Sequence, residues 1–266
     1  MTAPDRKHAP AVHNFNQPSL IAEQSETLAN GVEFHTLIAG EQPLLRLSLL
    51  WEGGCYDTDM QCLPSFFVEA MREGTDRYSG AEIADIIDFN GARLTTRTSD
   101  HYSGIDLLGL SDRFEAMLPV LHSIITAPTF ADRAVDMIAR KASANRATMQ
   151  HRVAWRASKA LYKRLRGADH PASIVETPEQ LATVSPETVA AAHRSIVGGG
   201  RLHAFLAGRC SDEVLAAVRK FLESLPCGDK SIVHYIPFEA EEPQASVDVV
   251  ADAQQSAVSL GMPTIN

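Results

Sequence analysis

Acid is missing from one long stretch of an otherwise acidic chain. The 266 residues carry a net charge of −9, yet Met137 to Ala168 contains no aspartate or glutamate. That stretch holds nine bases, so the remainder sums to −18. A net negative chain disfavours nucleic acid as the main partner. Cysteine is also scarce. Cys55, Cys62, Cys210 and Cys227 show no C-x-x-C spacing, so neither a disulfide framework nor a zinc knuckle is indicated, and reduced thiols are expected. No apolar run approaches the roughly 20 residues of a membrane span. The start, Met1 to His8, has no apolar core of a signal peptide, so a cytoplasmic location with no membrane contact is expected. None of the ten histidines pairs as H-x-x-x-H in a helical stretch, so no helical metal pair is evident. Gly198–Gly200 lacks the strand–GxxxxGK[ST]–helix context of a phosphate loop and is expected to be a plain turn.

What is present is ordinary globular composition, 45% hydrophobic and 21% charged. Residues 1–28 are polar and read as an arm. Val32–Ala39 and Leu44–Trp51 look like strands joined by a short linker, which predicts an antiparallel hairpin. Leu63, Phe66, Phe67, Ala70 and Met71 fall on one helical face. Ser79 and Glu82 form a capping box for a second helix ending at Asn90-Gly91. Ala92–Thr98 and Tyr102–Leu110 predict a second strand pair, and Ser111-Asp112 predicts the start of a helix stopped by Pro128. One long helical region is expected over 131–166, then helices near 177–182 and 186–197. A strand at Arg201–Ala207, a helix from Ser211 to Leu225, and strands at Ser246–Val250 and Gln255–Leu260 complete the pattern. Adjacent strand pairs without strict βα alternation imply an α+β fold, with an antiparallel or mixed β-sheet covered by helices.

The segment Cys62-Leu63-Pro64-Ser65-Phe66-Phe67-Val68-Glu69-Ala70-Met71-Arg72-Glu73-Gly74-Thr75 resembles the zinc helix of the insulinase/pitrilysin metallopeptidases. Its family pattern is H-x-x-E-H, then Met and, a few residues on, Gly-Thr. The resemblance to that family, mitochondrial processing peptidases included, extends from about Leu28 to the C-terminus. It is carried also by Leu28-Ala29-Asn30-Gly31-Val32, Tyr78-Ser79, Gly91-Ala92, Pro128-Thr129-Phe130 and Gly167-Ala168-Asp169-His170-Pro171. It implies a metallopeptidase half-domain over 29–235. Residues 236–266 then read as a linker and the first strand of a truncated second domain.

The resemblance also locates what has been lost. Phe66 and Ala70 stand where the two zinc-binding histidines would be, and Glu69 keeps the general-base position. The family's third ligand is a glutamate on the long helix some seventy residues downstream, inside the acid-free stretch. Asp132 and Asp136 precede that stretch and suit a helix's first turn. Zinc is thus the family cofactor, but this sequence supplies no ligand set and no cofactor is expected. The leading expectation is a non-catalytic homologue that binds peptide or protein, or pairs with an active subunit or with its own second domain. One alternative is an active zinc endopeptidase whose site is noncanonical or completed by a partner. Another is a binding module for an acidic partner or nucleic acid, built on Arg140, Lys141, Arg146, Arg152, Arg156, Lys159 and Lys163. No aromatic stacking platform accompanies those bases, which disfavours nucleic acid.

Overall fold

The computed structural model describes residues 21–229 and 245–262. Six strands form one mixed sheet: β1 (Gln24–Thr27), β2 (Glu33–Ile38), β3 (Leu44–Glu52), β4 (Arg93–Thr98), β5 (Tyr102–Leu110) and β6 (Leu202–Gly208). Their spatial order is β1-β2-β6-β3-β5-β4, and only β2 and β6 run parallel. The expected α+β class is therefore found. The β4–β5 hairpin is also found, closed by Ser99, whose backbone N–H donates to the Tyr102 carbonyl.

The expected β2–β3 hairpin is not. β6 lies between those two strands, parallel to one and antiparallel to the other. Leu202, Ala204 and Leu206 of β6 are buried, and a central slot covers them better than an edge does. The linker at 39–43 then spans two strand spacings, roughly 10 Å, which five residues cover easily. The arm expected over 1–28 also needs correction. Its last residues form β1, paired with β2 from Gln24↔Thr36 to Thr27↔Glu33. Residues 1–20 lie outside the described residues.

Alternation gives the sheet two faces. Phe34, Leu45, Leu47, Leu49, Trp51, Ile105, Leu107 and the buried β6 residues point inward. They join one core with the helices α1 (Leu63–Ala70), α2 (Gly80–Phe89), α3 (Phe114–Thr126), α4 (Asp132–Gln150), α6 (Pro178–Ala182), α7 (Pro186–Val197) and α8 (Asp212–Glu223). α5 (Val153–Arg166) has no buried residue of its own. The far face carries Arg46, Ser48, Arg97 and Asp106, where both arginines pair with Asp106 at 3.1 and 3.4 Å.

Side-chain caps explain several boundaries. Ser79, Thr177, Ser185 and Ser211 each accept a backbone N–H of the following first turn. Ser111 does not cap α3, which begins at Phe114 without a side-chain cap, because its hydroxyl donates to the Arg209 carbonyl instead. The single helix expected over 131–166 is two. The ladder ends at Gln150, and Arg152 turns extended at φ −84°, ψ 115° with no proline or glycine present. Packing decides the break: α4 lies against α1 and α6, whereas α5 lies against the turn at Pro171–Ser173. The strands expected at 246–250 and 255–260 are irregular chain. Among the described residues they make no ladder to the sheet. Asp248 instead pairs with Arg156, and Gly261 rests on Leu161 and Leu165.

His193 joins three helices. Its Nε2–H donates to the Ile125 carbonyl of α3 at 3.0 Å, and its ring meets Phe67 edge-on. Burial holds its pKa below the usual value. The unfolded chain, near 6.5, therefore binds a proton that the folded chain refuses. Stability should fall as pH drops below about 6.5, and His193→Gln should flatten that slope relative to the parent in urea titrations. The two sheet faces make a second contrast. Leu47→Ala should cost about 2–5 kcal/mol in urea unfolding. Leu108→Ala, on the far face and 40% exposed, should cost less than about 1 kcal/mol.

Candidate functional site

α1 is a short helix with Pro64 in its first turn, where a missing N–H costs nothing. Its N-cap, Cys62, offers no side-chain cap, but its backbone N–H donates to Glu176 Oε1 at 2.9 Å. The helix packs on α7, α4, β4 and β5. That position buries most of its circumference: Phe66 is 2% exposed, Ala70 1%, and Phe67 fully buried. The two positions that the family pattern reserves for zinc ligands are thus core side chains without a lone pair.

Glu69, beside them on the helix, reaches α4. Lys141 Nζ donates to its Oε1 at 2.7 Å, and both side chains are more than a third exposed. This hydrogen bond and charge raise the Lys141 pKa. Lys141 lies on α4 in the region where the resemblance places the third ligand. A protein ammonium therefore faces the carboxylate that a metal-bound water would face in an active relative. A zinc ion does not fit this arrangement: α1 offers no imidazole, and α4 offers no acid from Met137 to Gln150.

Beside the N-terminus of α1 lies a cavity of about 360 Å³, lined by Cys55, Tyr56, Gln61, Ile174, Glu176 and Gln180. Glu176 is its buried charge. Arg146 approaches Glu176 Oε2 at 3.7 Å and donates to the Glu176 carbonyl at 2.9 Å. Two thiols sit nearby, and neither is poised as a nucleophile. Burial, then Asp100, pushes Cys55 up to about 11, and burial, then Glu176, pushes Cys62 up to about 12.

The basic stretch is spread over two helices and largely engaged by the chain itself. Arg140 pairs with Asp136 one turn away at 3.3 Å. Lys141 meets Glu69, Arg146 meets Glu176, and Arg156 holds Asp248 through two hydrogen bonds of 2.6 and 2.9 Å. Lys159 donates to the Ala172 carbonyl at 3.4 Å, and burial lowers its pKa. Arg152 stands at the break between α4 and α5, and Lys163 lies on α5 beside Arg164, Ala168 and Ser246. One cluster escaped the sequence reasoning: Glu33 and His35 on β2 meet His203 on β6. A period-two Glu-x-His was visible and so was the strand at Arg201–Ala207, but not that the two pair.

No family model matches the chain, and no curated protein sequence matches it. Solved structures do match. An inactive domain of an M16 peptidase from Pseudomonas fluorescens superposes with TM-score 0.70 at 20% identity, covering 77% of this chain and 51% of that one. The periplasmic protease PqqL from Escherichia coli gives 0.68 at 16%, covering 91% of this chain and 29% of that one. Pitrilysin gives 0.67 at 15%, covering 82% and 24%. The fold is that of an insulinase/pitrilysin-type half-domain, and this chain spans about half or less of those solved chains.

If packing has replaced coordination at α1, two substitutions should separate in urea unfolding. Phe66→Ala should cost about 3–5 kcal/mol, whereas Lys141→Ala should cost less than about 1 kcal/mol because its ion pair is exposed.

Proposed function

We propose that this chain is a non-catalytic insulinase/pitrilysin-like homologue that holds extended peptide and pairs with an active metallopeptidase subunit or with a second domain of its own. The observation that carries the reading is the burial of Phe66 and Ala70 in the core, with Glu69 engaged by Lys141. A base without a metal-bound water has nothing to activate. The likeness to a domain described as inactive agrees with this reading.

Peptide holding is supported by the sheet edge. Among the described residues β4 pairs only with β5, which leaves an outer edge along Arg93–Thr98, next to α1. An extended peptide can add there as a seventh strand. Pairing is supported by the far face of the sheet, where Leu37, Leu44, Leu108, Leu110 and Phe205 remain partly exposed.

The experiment is a quenched-peptide hydrolysis assay on the purified chain with added zinc. No chelator-sensitive turnover is expected, and Glu69→Gln should leave the signal at background. Turnover that a chelator stops and Glu69→Gln abolishes would overturn the reading in favour of a working peptidase. Peptide binding should be seen as a rise in fluorescence anisotropy on titrating an extended peptide. A proline-interrupted version of that peptide should bind at least about tenfold more weakly, because each proline removes a ladder donor.

A further inference from the structure

We infer that the far face of the sheet carries a divalent-metal site unrelated to the α1 position, formed by Glu33, His35 and His203. The three residues come from β2 and β6, the one parallel pair in the sheet. Glu33 and His203 are directly opposite in register, and His35 lies two residues along β2 on the same face. One ligand atom from each falls within 4.8 Å of the others. Glu33 Oε2 stands 3.2 Å from His203 Nδ1. That is close to the ~3.3 Å edge of a tetrahedron with ~2.0–2.1 Å metal–ligand bonds.

The surroundings are organised as a metal site's outer groups are. His203 Nε2 lies 2.9 Å from Glu52 Oε1, and the Glu52 side chain is largely buried. A carboxylate on the far nitrogen fixes the tautomer and leaves Nδ1 to bind. The His35 ring is stacked on Phe205 with centroids 4.8 Å apart and planes 11° from parallel, and Tyr102 meets His203 edge-on. Both rings are therefore held by aromatic neighbours on fixed strands. Arg201 approaches Glu33 through Oε1 at 3.6 Å, leaving Oε2 for the metal. The His35 Nδ1 is buried without a hydrogen-bond partner, and Glu23 stands 3.9 Å from it.

Two imidazoles and one carboxylate suit zinc, cobalt, nickel or copper, and not magnesium or calcium, which prefer oxygen donors. Three protein ligands would leave a fourth position of a tetrahedral metal for water. Bound metal would tie β2 to β6 and so add stability in proportion to its occupancy.

The test is calorimetric titration of the chelator-stripped chain with zinc alone, repeated with cobalt for its visible spectrum. Zinc should bind at micromolar or tighter affinity, and cobalt should give tetrahedral d–d bands. His203→Gln and His35→Gln should each weaken zinc binding by at least about tenfold and remove the bands. Glu52→Gln, which only positions His203, should weaken zinc about tenfold while keeping the bands. Excess magnesium should not compete. No zinc binding at 0.1 mM on the order of a weak surface site, or binding that both histidine variants retain, would overturn the inference. Circular dichroism on each variant separates lost ligands from lost fold. Zinc that disappears only in Glu69→Gln would instead strike the non-catalytic reading of α1, so the two failures are distinguishable.

Discussion

The placement of β6 between β2 and β3 is the constraint on which the rest of the molecule depends. The strand follows α1 to α7 in the chain, and it fills the slot that β2 and β3 leave open. Without it, the inner faces of Phe34 and Leu47 would belong to separate two- and three-strand sheets, and such small ribbons are marginal alone. With it, Leu202, Ala204 and Leu206 complete a continuous apolar layer on which α1 and α7 can lie. The close passage of the chain at this join shows at Gly208. Its φ of +128° is open to glycine, and a Cβ there would strike the Leu44 carbonyl. The same join brings His203 opposite Glu33, so the only parallel pairing in the sheet also creates its histidine–carboxylate cluster.

Given that layer, the character of α1 follows from magnitudes. Burying Phe66 contributes about 2–3 kcal/mol of transfer free energy, with further packing terms from the ring's neighbours. The Glu69–Lys141 pair, exposed on both sides, contributes about 0–1 kcal/mol. The helix is therefore held by its apolar face, and its one acid is a solvated partner. A histidine at either buried position would need a polar partner, and without one would cost about 1–3 kcal/mol. Packing and coordination compete for the same two side-chain positions, and here packing holds them.

How much of this was legible in sequence divides along local and non-local lines. The boundaries of α2, α6, α7 and α8 were visible because Ser79, Thr177, Ser185 and Ser211 act on donors three residues away. The β4–β5 hairpin was visible for the same reason. The burial of Phe66 and Ala70 was legible from a 3.6-residue stripe. The β6 insertion was not, because pairing β2 with a strand some 170 residues later leaves no local trace. The break at His151–Arg152 was invisible too: no breaker residue marks it, and two different packing surfaces decide it. The strands expected at 246–250 and 255–260 had the right alternation, but a strand also needs a neighbouring ladder.

The acid-free stretch shows the same logic in electrostatics. A sequence with nine bases and no acids over 137–168 looks like a surface awaiting an anionic partner. The fold supplies anions from elsewhere: Glu69 from α1, Glu176 from the loop before α6, and Asp248 from the C-terminal segment. Each sits more than twenty residues from its base, so none could be matched by the i, i+4 rule. Only Arg140–Asp136 obeys that rule. The field that a reader of the sequence would assign to a docking face is in large part spent inside the molecule. Glu69 ties α4 to α1, Glu176 ties α4 to the loop before α6, and Asp248 ties α5 to the C-terminal segment.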